Sequence, residues 1–139
     1  MDVAQRVACK GIIAKDGKVL VLREASTYEE GTNVGRYHCP GGRINPGEPF
    51  LDGLRREICE ETGLDVAVGK PVHVGEWFPE IKGVKNHIVA IFFECTATSE
   101  KVSLSEGHDD YKWVSAEESK SLDIMSPEDK ILESYFKAA

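Results

Sequence analysis

At 139 residues, with 41% hydrophobic and 29% charged residues, the chain has the size and composition of one globular domain spanning residues 1–139 around a single core. Its net charge of −7 argues against a stable nucleic-acid surface or an anionic-membrane surface, both of which need basic patches; it leaves room for a phosphorylated small molecule whose charge a metal neutralises. No apolar run approaches a membrane span, Met1 to Arg6 lacks the apolar stretch of a signal peptide, and Cys9, Cys39, Cys59 and Cys95 form no C-x-x-C pair, so the thiols read as reduced and the protein as cytoplasmic.

The first elements read as a hairpin. Val7 to Ala14 and Lys18 to Leu22 are apolar-rich, and Lys15-Asp16-Gly17-Lys18 places Asp-Gly at the centre of the turn. Arg23 closes the second strand. Residues 24–36 are polar and aperiodic, with Gly31 and Gly35; a loop of this length in a compact domain is more often functional than idle, and it reads as a lid at the mouth of a site. Tyr37-His38-Cys39-Pro40-Gly41 follows. His38 and Cys39 make no defensible metal pair, and Cys39 has no partner base at a recognisable spacing.

Residues 42–64 carry the strongest signal. Asn45-Pro46-Gly47-Glu48 fits a type II turn, Pro49 suits the first position of a helix running to about Glu61, and Gly63 is its stop. Leu51, Leu54 and Ile58 recur at helical spacing and face a core. Glu57, Glu60 and Glu61, at i, i+3 and i+4, share one face. Three glutamates on a helix are ordinarily a solvated face. Here they abut the apolar stripe, which implies half-burial, and half-buried like charges are costly unless a cation neutralises them. Oxygen-only ligands with positions left for water and phosphate suit Mg²⁺ or Mn²⁺. Gly53, one turn before Glu57, would let the Gly41–Gly42 loop approach. Arg56 has Asp52 four residues before it and Glu60 four after; it either braces Glu60 from behind or forms an ordinary surface ion pair. Glu48 complements the helix N-terminus.

Beyond Gly63, Leu64 to Val68 and Val72 to Phe78 read as extended segments on either side of Pro71. Trp77 and Phe78 either stack a base, fill an interface or pack in the core, and an apolar-aromatic edge there would permit a homodimer. Pro79 to Asn86 reads as a loop carrying Lys82 and Lys85. His87 to Thr96, apolar on both faces, is the central strand, with His87 at its start either reaching the pocket or serving structure. Tyr111, Trp113 and Val114 form a short strand. Ser115-Ala116-Glu117-Glu118 is a capping box, and Ser126 with Pro127 opens a last helix whose Ile131, Leu132, Tyr135 and Phe136 share one face.

The pattern of residues 42–64 resembles the Nudix box, G-x5-E-x7-R-E-U-x-E-E-x-G-U with U apolar. Gly42, Glu48, Arg56, Glu57, Ile58, Glu60, Glu61, Gly63 and Leu64 occupy every defined position. The resemblance implies an α/β fold, an α/β/α sandwich with a central mixed sheet. It implies a divalent ion held by Glu57, Glu60 and Glu61 with the Gly41 carbonyl, and a general base among Glu57, Glu61 and Glu106. Glu106 is the best match for a further acid before a tryptophan-bearing strand, with Asp109 and Asp110 competing. Arg23, Tyr37 and His87 are the substrate-contact candidates. The activity implied is Mg²⁺-dependent (or Mn²⁺-dependent) hydrolysis of a diphosphate linkage in a nucleoside diphosphate joined to another moiety. A nucleoside triphosphate or oxidised nucleotide stands ahead of ADP-ribose or a nucleotide sugar. The alternative is a nucleotide-binding sensor that does not hydrolyse. Isoprenoid diphosphate isomerisation does not match the surroundings of Cys39.

Overall fold

The computed structural model describes residues 2–26 and 33–139. The expected lid overlaps residues 27–32, which lie outside the described residues. The hairpin forms as read but runs longer: β1 is Ala4–Lys15 and β2 is Lys18–Glu24. Asp16 and Gly17 both have positive φ (53° and 78°), the pairing that matches the twist of a two-residue hairpin loop.

Past the turn the two strands part. Only Ala14↔Val19 and Lys15↔Lys18 pair across the hairpin. Into the gap goes the segment leading to the box. Its β3 (Tyr37–His38) pairs with β2, and its β4 (Gly41–Arg43) pairs with β1. A Gly11 N–H to Pro40 carbonyl bond of 2.8 Å fastens the insertion. The separation of β1 from β2 opens the sheet at the end where the site lies.

The rest of the sheet forms around β1. Strand β7 (Val84–Ala97) runs parallel to β1 over Ala4–Ala14, and β5 (Val66–Trp77) pairs antiparallel with β7 at the sheet edge. A single parallel pair among antiparallel ones makes the sheet mixed, as expected. Two extended segments around Pro71 are one strand. Register shifts at Val68–Pro71 and Pro71–His73 absorb the proline, which an edge strand tolerates because its N–H need not pair. The expected loop at 79–86 is instead a tight hairpin. Strand β6 (Glu80–Ile81) pairs with the start of β7, and Lys82 and Gly83 turn with φ of 49° and 78°. Strand β8 (His108–Val114) pairs with β2.

Helices cover both faces. α1 (Phe50–Thr62) packs Leu54 and Ile58 against Cys9, Ile13, Leu20, Leu22, Phe93 and Cys95. Leu51 is only half-buried on that side. Pro49 sits just outside the helix rather than in it, and Gly63 ends it in the left-handed region at φ 72°. On the opposite face α3 (Glu128–Ala138) buries Ile131 and Leu132 against Ile12, Val21 and Phe92. The helix begins after Pro127, so Ser126 is not its cap. The short α2 (Ala116–Ser119) has the reciprocal Ser115–Glu118 capping box read from the sequence. Among the described residues no helix is long and apolar enough to cross a membrane. The four cysteines are free thiols, Cys59 exposed and the others buried.

Ile58 is fully buried, and its Cδ1 fills the space left by Gly11, where a Cβ would come within 2.9 Å. Ile58→Ala therefore creates a cavity with little room to collapse. It should lower unfolding stability by about 2–5 kcal/mol in a urea titration, with an unchanged m-value.

Candidate active site

The glycine turn and α1 meet at contact distance. The Gly41 N–H donates to Glu61 Oε1 at 2.8 Å. Gly41 holds φ +131°, and a Cβ there would lie 2.3 Å from the Cys9 carbonyl oxygen, so only glycine fits. At Gly42 a Cβ would lie 3.0 Å from the Glu57 carboxylate. The close approach is therefore made by Gly42. Gly53, expected to admit that loop, instead accommodates Ile44 Cδ1 and the Glu48 carboxylate, at 2.7 and 2.9 Å from where its Cβ would stand.

Arg56 organises the acids. Its Nε and Nη2 donate to the two oxygens of Glu48 at 2.7 and 3.0 Å, a bidentate pair. Its Nη1 reaches Glu57 and Glu60 at 3.3 Å each. The expected brace on Glu60 exists, but Glu48 is the main partner. Hydrogen bonding to Arg56 holds Glu48 below the usual glutamate value and Arg56 above the usual arginine value.

Glu57, Glu60 and Glu61 all line one outer cleft of about 620 Å³, with Arg6, Arg43, Ser105, Gly107 and His108 around it. They are not equivalent. The Glu57 side chain is 20% exposed and that of Glu60 59%. Burial pushes Glu57 above the usual carboxylate value, against the pull of Arg56. Desolvation pushes Glu61 to about 8, with the Gly41 N–H and the Lys10 ammonium drawing it back. Among the described residues no three acid, histidine or cysteine side chains converge into a closed metal cage. An octahedral hard cation that keeps several waters and takes one or two carboxylates plus substrate phosphates needs no such cage. Glu57 and Glu61, desolvated and of like charge, fit that demand. Glu60 stands at the rim.

Beside this outer cleft lies a smaller one, the inner cleft, about 120 Å³, sharing Gly41, Gly42, Arg43, Glu61 and His108 with it. Trp77, Pro79, Ile81, Ile88 and Met125 form its apolar wall. Lys10, Glu24, Asn33 and His38 are polar. Lys10 is 5% exposed and pairs with the fully buried Glu128 at 3.0 Å. Glu128 in turn accepts the Cys39 N–H at 2.6 Å. Burial presses the Lys10 pKa down, but Glu128, with Cys39 and Glu61 beyond, holds it above the ordinary lysine value. His38 and His108 meet through their Nε2 atoms at 2.8 Å. Desolvation, reinforced by Lys10, lowers His38 well below its ordinary value and His108 to about 4, so both rings are neutral near pH 7.

The three substrate candidates fall elsewhere. Arg23 pairs with Asp109 at 2.6 Å and lies over the Tyr37 ring, whose hydroxyl donates to Asp110. This cluster ties β2 and β3 to β8, and it engages both acids that competed with Glu106. His87 is bonded to Glu76 at 2.8 Å and stacked on Phe78. None of the three lines either cleft. Glu106 is exposed, between the cleft-lining Ser105 and Gly107. Lys10, Glu24, His38, His108 and Glu128 were missed. A lysine within the apolar strand Val7–Ala14 was the one local signal, since an unpaired charge is not buried there without a partner.

The family model for the NUDIX domain matches residues 4–135. The chain belongs to the Nudix family. It is similar to the nucleoside triphosphatase NudI of Klebsiella pneumoniae strain 342, 28% identical over 130 residues, 86% of this chain and 89% of that one. The NudI of Enterobacter sp. strain 638 is 30% identical over the same shares of the two chains. Among solved structures, the MutT protein from Methanosarcina mazei Go1 superposes with a TM-score of 0.80 at 27% identity, over 99% of this chain and 96% of that one. As a member of the family this protein is a Nudix pyrophosphohydrolase, and such enzymes generally use divalent cations.

Glu61 gives a pH signature. Its folded pKa of about 8 lies above the ordinary value, so its contribution to stability is complete at low pH and is lost as pH rises through 8. The depressed histidines act with the opposite sign, but only below about pH 6.5. The melting temperature of the metal-free protein should therefore fall between about pH 6.5 and 8.5. Glu61→Gln, or a saturating divalent cation, should flatten that decline in differential scanning fluorimetry.

Proposed function

We propose that this Nudix pyrophosphohydrolase cleaves a diphosphate linkage in a nucleoside diphosphate joined to another group, with Mg²⁺ or Mn²⁺ as its cation. One observation carries the reading: the cleft lined by the α1 carboxylates adjoins a partly apolar cleft, with a shared wall. A phosphorylated end fits the first and a planar organic end the second. A nucleoside triphosphate, ordinary or oxidised, is the favoured substrate, ahead of ADP-ribose and nucleotide sugars. The NudI relatives, matched over most of their length, support that order.

In this reading Glu57 and Glu61 hold the cation, with the Gly41 carbonyl beside them and Glu60 at the rim. When bound, the cation screens phosphate charge and acidifies water. Arg56 contacts Glu57 and, through Glu48, anchors the Asn45–Glu48 turn that leads into α1. Arg6 and Arg43, opposite α1, supply positive charge to phosphate oxygens. One acid among Glu57, Glu61 and Glu106 takes the proton from the attacking water. The other two serve binding.

Glu57→Gln should reduce Mg²⁺-dependent turnover about a hundredfold or more while far-UV circular dichroism is unchanged. Full activity of that variant at saturating Mg²⁺ would refute the assignment. A nucleotide panel run in ¹⁸O-water, with product masses, should place one ¹⁸O on the product that carries the attacked phosphorus, which identifies the substrate and the bond cleaved together. Thermal stabilisation by nucleotides without any product would favour the sensor instead.

A further inference from the structure

The inner cleft holds an unresolved conflict in hydrogen bonding. His38 Nδ1 lies 2.9 Å from Lys10 Nζ and 2.8 Å from the Cys39 carbonyl oxygen. An ammonium only donates and a carbonyl only accepts. If Nδ1 accepts from Lys10, it faces the carbonyl without a proton. If Nδ1 carries a proton for the carbonyl, it opposes the Lys10 N–H. The neutral ring cannot satisfy both. A second acceptor placed against Lys10 removes the conflict: Lys10 donates to it, and Nδ1–H turns to Cys39. His38 Nε2 then accepts from His108 Nε2, and His108 Nδ1, 3.3 Å from Ser105 Oγ, accepts from that hydroxyl.

The geometry of the cleft limits what that acceptor is. Lys10 Nζ stands 6.0 Å from the centre of the Trp77 ring, and both line the inner cleft. A planar base stacked on Trp77 brings its edge to the ammonium. Glu128 faces one of the three N–H groups of Lys10 and keeps it charged and in place; once Nδ1–H turns to Cys39, the other two have no hydrogen-bond acceptor among the described residues.

We propose that Lys10 is a specificity-determining residue that selects nucleobases presenting a carbonyl oxygen at the inner edge, such as uracil, thymine or guanine, over those presenting an exocyclic amine there. The selection rests on the nucleotide reading above. An amine in that position sets donor against donor and leaves the N–H of Lys10 that points at the base without an acceptor. Desolvated polar groups left unpaired are what make such discrimination large.

UTP and CTP test this, since their bases differ at that one exocyclic position and the adjacent ring nitrogen. The protein should show a kcat/KM ratio of about tenfold or more in favour of UTP, expressed mainly in KM. Lys10→Met alone would strand the Glu128 charge, so Lys10→Met/Glu128→Gln is the informative variant. It removes both charges and keeps an acceptor for the Cys39 N–H. In this variant the UTP/CTP ratio should fall towards one, whatever the absolute rates, with cooperative melting retained. A merely structural role for the pair would lower both rates and leave the ratio standing, which overturns the proposal. So does a wild-type ratio near one or below. Calorimetry with the α,β-methylene analogues of UTP and CTP separates the two levels of argument. Tighter binding of the UTP analogue without hydrolysis of any nucleotide would sink the catalytic reading and support Lys10. Turnover of both substrates with equal binding would do the reverse.

Discussion

The site depends on a single steric allowance: two glycines let strand β4 touch the carboxylates of α1. With Gly41 lying on the β1 backbone and Gly42 against Glu57, the Gly41 N–H reaches Glu61 and the strand covers part of both acids. A side chain at Gly41 would collide with the β1 backbone, and one at Gly42 would press on the Glu57 carboxylate. The desolvation that follows makes the two acids poor company for each other and good company for a cation. The cation-binding character of the cleft is thus a product of packing as much as of acid count.

Arg56 moderates this charge without cancelling it. One guanidinium meets three carboxylates, and its best geometry goes to Glu48. Glu48 also accepts the Asn45 N–H at 3.1 Å, so the arginine anchors the turn entering α1. Glu57 receives only a longer, single contact and keeps its excess of negative charge. Had the strong pairing gone to Glu57, the guanidinium would compete with the cation for the same oxygens.

The division between what could and could not be read from the chain follows from distance along it. The box was legible because its glycines, turn, helix and acids are local, and helical periodicity places them relative to one another. The hairpin turn, the capping box and the central strand were legible for the same reason. The inner cleft was not. Lys10 meets Glu128, and His38 meets His108, only because strand separation and the α3 docking angle bring them together. In isolation Glu128 looks like a solvated first-turn acid, and each histidine like a structural one. Arg23 and Tyr37 are substrate candidates by resemblance to the family; the chain alone did not show that their side chains pair with Asp109 and Asp110, more than seventy residues away. The Lys82–Gly83 hairpin escaped notice because lysine seldom adopts a left-handed backbone.

The break in β5 has a consequence for self-association. As the last strand of the sheet it offers an open row of backbone groups, the usual template for fusion of one sheet with another. Pro71 and the register shifts beside it spoil that row in the middle. Unshifted pairing remains over His73–Trp77, roughly 17 Å of strand, where Val74 is 69% exposed. Any neighbour that added to the sheet would find purchase on about one short strand's worth of backbone, enough for a registered contact between folded copies and too little to seed an extended fibre.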